Sequence, residues 1–196
     1  MFEYIRGEIT QLTPTYLVIE TGGIGYYLQI SLNTYSVLQN IENSKNAKIF
    51  THSVIKEDSH LLFGFHEETE RKLFRQLITV SGIGANTGRM MLSSMNPEEL
   101  ITAIAQGDVA TLKSIKGIGL KTSQRIIIEL KDKIGSSSAQ QELFTSSNNT
   151  NRDEALSALI MLGFQKKAVE NVVSKEIQKK NEISVEELIK NALKQL

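Results

Sequence analysis

Two glycine-bearing segments of the chain have the residue types and spacing of a phosphate-binding device. One runs Val80-Ser81-Gly82-Ile83-Gly84-Ala85-Asn86-Thr87-Gly88-Arg89-Met90-Met91-Leu92, the other Ile115-Lys116-Gly117-Ile118-Gly119-Leu120-Lys121-Thr122-Ser123-Gln124-Arg125-Ile126-Ile127. They are offset by 35 residues and share Gly-Ile-Gly-x-x-Thr. Each follows one helical pattern and precedes another, the arrangement of a helix–hairpin–helix motif. Glycine permits positive φ and puts no side chain in the way. The central Ile83 or Ile118 would plug the hairpin into a core. The first amides of the following helix then point outward with no intrahelical acceptor, and such a terminus attracts phosphate. The expected contacts are Gly82, Ile83, Gly84, Ala85 and Asn86 in the first copy. In the second they are Gly117, Ile118, Gly119, Leu120, Lys121 and Thr122, with Arg125 beside them. Contacts of this kind carry no base information, so binding would ignore sequence.

A plain glycine turn joining two packed helices is the other reading. Two copies at matched positions, the second flanked by Lys116, Lys121 and Arg125, favour phosphate. Other glycine motifs fail. A P-loop requires Gly before Lys-[Ser/Thr], but Leu120 precedes Lys121-Thr122, and no strand leads in. A dinucleotide fingerprint needs two residues between its last glycines after a strand; here three separate Gly84 from Gly88, after a helix. No catalytic residue, nucleotide-hydrolysis site or cofactor is expected.

The elements that must carry these hairpins follow from the pattern on either side. Residues 1–64 read as β. Tyr16-Leu17-Val18-Ile19, Tyr26-Tyr27-Leu28-Gln29-Ile30, Ile49-Phe50-Thr51-His52-Ser53-Val54-Ile55 and Leu61-Leu62-Phe63-Gly64-Phe65 are β-branched and aromatic runs, with Gly22-Gly23 and Gly25 as turn residues. Four to six short strands in this length suggest a small barrel, OB-like or similar. From Glu67 the period becomes helical, and residues 65–134 form an all-α domain. Asn96-Pro97-Glu98-Glu99 is a helix start, with a capping Asn, Pro at the first position and two acids facing the dipole. Residues 135–151 are dominated by Ser, Thr, Asn, Gln and Gly and read as a flexible linker, in which Leu143-Phe144 is taken as incidental. In 152–196, Leu156, Leu159, Ile160 and Phe164 recur at helical spacing, Gly163 is a helix stop, and Ser184 with Glu187 is a capping box. A three-helix bundle is expected there.

Composition bounds the chemistry. With no cysteine among 196 residues, disulfides, zinc–thiolate sites and cysteine nucleophiles are excluded. No apolar run is long enough for a membrane span. The start of the chain lacks the basic and apolar regions of a signal peptide, so a cytoplasmic location is expected. Basic and acidic residues balance at 22 each, which argues mildly against a nucleic-acid binder. Their distribution matters more. Residues 1–64 hold four basic and six acidic residues, whereas 65–134 hold ten and eight, and Lys113 to Lys133 alone hold six against two.

Taken in order, these parts resemble the RuvA family of bacterial Holliday-junction-binding subunits. The residues that carry the resemblance span the chain. They are Ile5-Arg6-Gly7, Gly22-Gly23-Ile24-Gly25-Tyr26, Phe50-Thr51-His52, Lys56-Glu57-Asp58-Ser59-His60-Leu61-Leu62-Phe63-Gly64-Phe65, Gly117-Ile118-Gly119 through Glu129-Leu130-Lys131-Asp132, and Leu162-Gly163-Phe164. The resemblance implies an α+β multidomain protein: an OB-fold barrel, a domain with two helix–hairpin–helix motifs, and a tethered three-helix bundle similar to ubiquitin-associated domains. It implies four-way junction DNA as ligand, a homotetramer with an octamer as the alternative, and a RuvB-type hexameric AAA+ ATPase partner. It leaves room for a junction resolvase. The bundle would meet the ATPase, with Leu159, Leu162 and Leu193 as candidate contacts.

Glu57 and Asp58 fall between two strand runs, at a hairpin tip. They read as a solvated acidic turn, or more weakly as a metal site with His52 or His60. The resemblance implies instead an acidic pin that repels phosphates at the junction centre, with Lys56 holding a phosphate nearby. The sequence departs from the family pattern at Asn86, where many relatives carry Lys, and at Gly88, where many carry Ala. The first hairpin is therefore expected to contribute less affinity than the second, and Gly88 to weaken its helix by about 1 kcal/mol. Two rivals remain: a structure-selective nuclease or glycosylase, and a protein adaptor working through the bundle. A nuclease needs carboxylates converging on metal ions, and outside Glu57-Asp58 no such cluster is evident.

Overall fold

The computed structural model describes residues 2–40, 44–142, 147–179 and 183–196. Five strands, β1 (Tyr4–Leu12), β2 (Tyr16–Thr21), β3 (Ile24–Gln29), β4 (Ala47–Ile55) and β5 (His60–Phe65), close into a barrel in the order β1-β2-β3-β5-β4. The contact closing β3 on β5 is parallel and the others antiparallel. Helix α1 (Leu32–Leu38) lies in sequence between β3 and β4, with a short 3-10 turn at Ser44–Asn46. This is the OB topology expected from the sequence. Alternation turns Ile5, Leu17, Ile19, Leu28, Ile30 and Ile49 inward to a dry core. At the β2–β3 hairpin Gly22 and Gly23 have φ of 58° and 77°, which a two-residue turn matching strand twist demands.

Helices α2 (Glu68–Leu77), α3 (Ala85–Ser94), α4 (Pro97–Gln106), α5 (Val109–Ser114) and α6 (Leu120–Glu142) follow. Asn96 caps α4 as expected: its side chain accepts from the Glu99 amide, Glu99 reaches back to the Asn96 amide, and Pro97 opens the helix. Barrel and helices do not behave as separate bodies. Phe63 and Phe65 of β5 are buried in the same core as Leu73, Phe74 and Leu77 of α2, Met91 and Leu92 of α3, and Ile126 and Leu130 of α6. Contacts divide the chain only after Gly135.

Two consecutive residues of α2 clasp the barrel. Arg71 is almost fully buried; its guanidinium donates to the Glu3 carbonyl at 2.7 Å and the Thr51 carbonyl at 3.4 Å, pairs with the Glu3 carboxylate and lies over the Phe50 ring. Glu70, equally buried, accepts from Ser31 Oγ and from Thr34 Oγ1, the latter at 2.6 Å. Thr34 Oγ1 in turn accepts the His66 amide at 3.1 Å. Two further ties run from α3: Arg89 donates to the Thr15 carbonyl at 3.0 Å, and Ser93 Oγ accepts the Leu32 amide at 3.1 Å.

Burial pushes the Glu70 carboxyl above its ordinary range, opposed by hydrogen bonds from Ser31, Thr34 and Asn33 and reinforced by the Glu67 charge. A carboxyl raised in the folded state contributes stability that is complete below the unfolded value and lost as pH rises through the folded one. Lowering pH from about 7 to about 5 should therefore raise the melting temperature of the native chain relative to Glu70→Gln, whose amide does not titrate. Paired melts across that range check it. A constant gap would show that Glu70 titrates normally.

The stretch read as a flexible linker is corrected in part. Helix α6 continues through Gly135 to Glu142, and α7 (Ser147–Met161) opens inside the expected linker. Polar composition alone did not break the helix, since Ala139 to Glu142 are good helix formers. Leu143 and Phe144 lie outside the described residues. Helices α7, α8 (Lys166–Lys179) and α9 (Val185–Leu193) form the expected bundle around Ala155, Leu159, Val169, Val173, Leu188 and Ala192. Ser184 caps α9 by accepting the Glu187 amide, and Gly163, at φ 98°, ends the turn after α7.

Candidate nucleic-acid interface

The two hairpins are built alike. In the first, the Ile83 amide donates back to the Val80 carbonyl at 3.0 Å across Ser81-Gly82; in the second, the Ile118 amide donates to the Ile115 carbonyl at 3.0 Å across Lys116-Gly117. The third residue of each turn is Gly82 at φ 93° or Gly117 at φ 84°, a conformation that a side chain would strain. Ile83 and Ile118 are buried in the helical core, so the turns are anchored from beneath.

The residue after each anchor starts a helix. Gly84 is the N-cap of α3 with extended backbone and no side-chain cap. The first helical bonds run from the Gly88 amide to Gly84 and from the Ser123 amide to Gly119, both at 2.9 Å. The amides of Ala85, Asn86 and Thr87, and of Leu120, Lys121 and Thr122, thus precede the first intrahelical acceptor. An alanine-sized group at Gly84 or Gly119 would meet nothing within 4 Å, so both termini open to solvent. Two uncapped, matched helix starts can each receive an anionic oxygen.

One expectation changes here. Positive φ belongs to the first glycine of each motif, Gly82 and Gly117; Gly84 and Gly119 do not adopt it. The second glycines keep the approach clear but are not conformationally required. Gly88 also gains a reason. A Cβ there would lie 3.3 Å from Phe74 and Ile78 side-chain carbons, so glycine lets α3 sit close on α2 and recovers in packing some of the propensity it forfeits.

The charges around the hairpins differ. Lys116, Lys121 and Arg125 are exposed about the second. At the first, Asn86 is exposed and Arg89 is turned back onto the barrel. Arg125 is not simply free: it donates to the Ser81 carbonyl in the first hairpin at 3.1 Å.

Lys56, Glu57, Asp58 and Ser59 form the β4–β5 tip, closed by the Lys56 amide donating to the Ser59 carbonyl at 2.8 Å, with Lys56, Glu57 and Asp58 all exposed. The metal reading loses one of its two histidines, since His60 stays exposed beside the tip, paired with Ile55, but His52 does not. His52 points away to α2, accepting from Arg75 Nε at 3.4 Å and packing on Phe74, and burial lowers its pKa. Among the described residues no three His, Asp or Glu gather to hold a metal ion.

The candidate partner contacts separate. Leu159 is fully buried at the bundle centre and cannot meet a partner without unfolding it; helical spacing could not say which of two apolar stripes faces inward. Leu162 is 62% exposed and Leu193 43%. Beside Leu162, Met161 is 89% exposed, as its position just before the Leu162-Gly163 turn could have signalled.

Comparison with known proteins matches all three parts. Residues 1–64 match the RuvA N terminal domain, 74–132 the SAM-like helix-hairpin-helix tandem, and 150–196 the RuvA C-terminal domain. The chain is 50% identical over 196 residues to the Holliday junction branch migration complex subunit RuvA of Christiangramia forsetii, covering all of both chains. It is 49% identical over 196 residues to the protein of the same name from Flavobacterium psychrophilum, again over the whole of both. To that of Parabacteroides distasonis it is 49% identical over 199 aligned positions at full coverage.

Proposed function

The chain belongs to the RuvA family, and from that premise we propose that it binds four-way DNA junctions by holding duplex phosphates on its two matched helix starts. The observation that carries this reading is the pair of identical turns, each with a glycine at positive φ, a buried isoleucine and an uncapped helix start. Backbone donors grip the repeating phosphate and not the bases, which suits a ligand recognised by shape. They also need little net positive charge, which answers the objection from the balanced composition.

A junction has four arms, and one chain offers two hairpins. Four copies about a common axis would present eight, placing one acidic tip per copy at the crossover. Carboxylates there disfavour phosphate, keeping strands apart where pairs exchange. The chain supplies no catalysis; movement of the junction is the work of a RuvB-type hexameric ATPase met by the 152–196 bundle in the cytoplasm.

A gel shift comparing a four-way junction with linear duplex of the same sequence tests this. Strong preference for the junction is expected, with log K falling against log salt at a slope of about −7 or shallower, because backbone donors release fewer counterions than lysine. Equal affinity for both substrates would overturn the reading, and metal-dependent cleavage would favour a nuclease.

The tip supports a separate expectation. Glu57→Gln with Asp58→Asn should leave junction affinity unchanged or raise it, since only repulsion is removed, while the rate of ATPase-driven branch migration changes. Affinity by titration and migration by strand-release assay decide it; a marked loss of affinity would contradict a repulsive role.

A further inference from the structure

The two motifs are related by 35 residues, and that offset pairs positions the motif itself does not include. It sets Asn86 against Lys121 and Met90 against Arg125. Met90 and Arg125 make reciprocal contacts. Arg125, on the helix of the second hairpin, donates to the Ser81 carbonyl in the turn of the first at 3.1 Å. Met90, on the helix of the first, lays its Cε methyl on the turn of the second, 3.3 Å from where a Cβ of Gly117 would stand. Each helix thus reaches across to the other's turn from the same place in the repeat, once by a charge-assisted hydrogen bond and once by apolar contact.

We propose that Met90 and Arg125 are a reciprocal brace that fixes the separation of the two phosphate-binding helix starts. The role rests on the DNA-binding reading above but names residues that need not touch DNA. The spacing of phosphates along a duplex is set by the nucleic acid, so two grips help each other only when held at a matching distance. Each turn is seated in the core by its own isoleucine and by the apolar residue that opens it, Val80 or Ile115, whereas Met90 and Arg125 join one helix directly to the other's turn. The brace also explains why an arginine and a methionine can occupy equivalent positions: each meets what the opposite turn presents, a free carbonyl at Ser81 and a bare glycine at Gly117.

The chain has no cysteine, so Asn86→Cys with Lys121→Cys places one spin label at each helix start. Labelled chain co-assembled with excess unlabelled chain gives the distance within one subunit, without DNA. Arg125→Ala and Met90→Ala are each expected to broaden that distribution. In otherwise native chain, each should lower junction affinity about fivefold while leaving the salt slope unchanged. Met90→Leu loses the reach of Cε without opening a large hole, and is expected to broaden the distribution even if the alanine variant does not fold. Distributions that stay narrow in both Arg125→Ala and the Met90 variant would overturn the brace. So would a narrow distribution with a salt slope made shallower by up to about four in Arg125→Ala, about one for each of four copies, which would make Arg125 a phosphate ligand. If native chain shows no preference for junctions, the DNA reading fails, and the label distances still decide the brace.

Discussion

Gly117→Val is expected to reduce junction affinity by well over about 100-fold, with a lower melting temperature. The residue sits at φ 84° in the turn, and its Cβ would press on Met90 at 3.3 Å. A β-branched residue in that region costs about 1–3 kcal/mol, which the turn relieves by moving. Movement displaces Ile118 from its buried seat and, two residues on, the amides of Leu120 to Thr122. Each lost grip is worth about tenfold, and every copy in an assembly carries the change, so the losses compound. Gly119→Val is the informative contrast. Gly119 lacks positive φ and has open space around it. Valine there should lower the melting temperature less than Gly117→Val does, the loss being that of a poorer helix cap, yet still obstruct the phosphate. Lys121→Ala should weaken binding more than Asn86→Ala, since only the lysine adds charge. Melting curves and junction titrations on the four variants check the set. Full binding by Gly117→Val would mean that the hairpins do not hold the DNA.

Leu159→Ala is expected to unfold the C-terminal bundle. The side chain is fully buried among Ala155, Val169, Val173 and Leu188, and removing such a leucine costs about 2–5 kcal/mol. A bundle of this size has little more than that to lose. Hydrogen exchange across the full chain should show protection lost from Ala155 to Leu193 and kept through the barrel and hairpins. Leu162→Ala and Met161→Ala remove exposed side chains and should shift stability by less than about 0.5 kcal/mol, yet lower stimulation of the ATPase. Native protection in Leu159→Ala would refute its placement, and undiminished stimulation in both surface variants would move the partner contact elsewhere on the bundle.

The hairpins were legible because their turns need glycine at fixed places, Gly82 and Gly117, and glycine is visible in a sequence. The same holds for the Asn96-Pro97 helix start and four of the five strands. Strand β1 was not singled out: Tyr4–Leu12 alternates with charged and polar residues, and its inward set is sparse. Helix α1 was missed because Leu32–Leu38 is a seven-residue helix with little period to read. The Arg71 and Glu70 clasp could not be foreseen, because its partners Glu3, Ser31, Thr34 and Thr51 are scattered along the chain and only folding gathers them. Residues 135–142 misled for another reason. Serine and glutamine suit a coil as well as a helix, and the choice fell to the helix already running from Leu120. One practical result is that a fragment cut at Lys133 would remove Ile134, which is buried in the helical core; a cut after Glu142 spares it.

Between the last residue of β5, Phe65, and the first of α2, Glu68, only His66 and Glu67 intervene. That short passage, with Arg71 and Glu70 gripping the barrel directly after it, places the acidic tip and the two hairpins in one compact unit. A gauge works only if its jaws and its pointer share a frame. On the proposed reading the hairpins would be the jaws and the β4–β5 tip the pointer, both carried by one compact unit. Insertions at residues 66–67 should then be poorly tolerated even though His66 and Glu67 are not themselves at either end of the gauge. Lengthening the β4–β5 loop should move the pointer while leaving the jaws where they are.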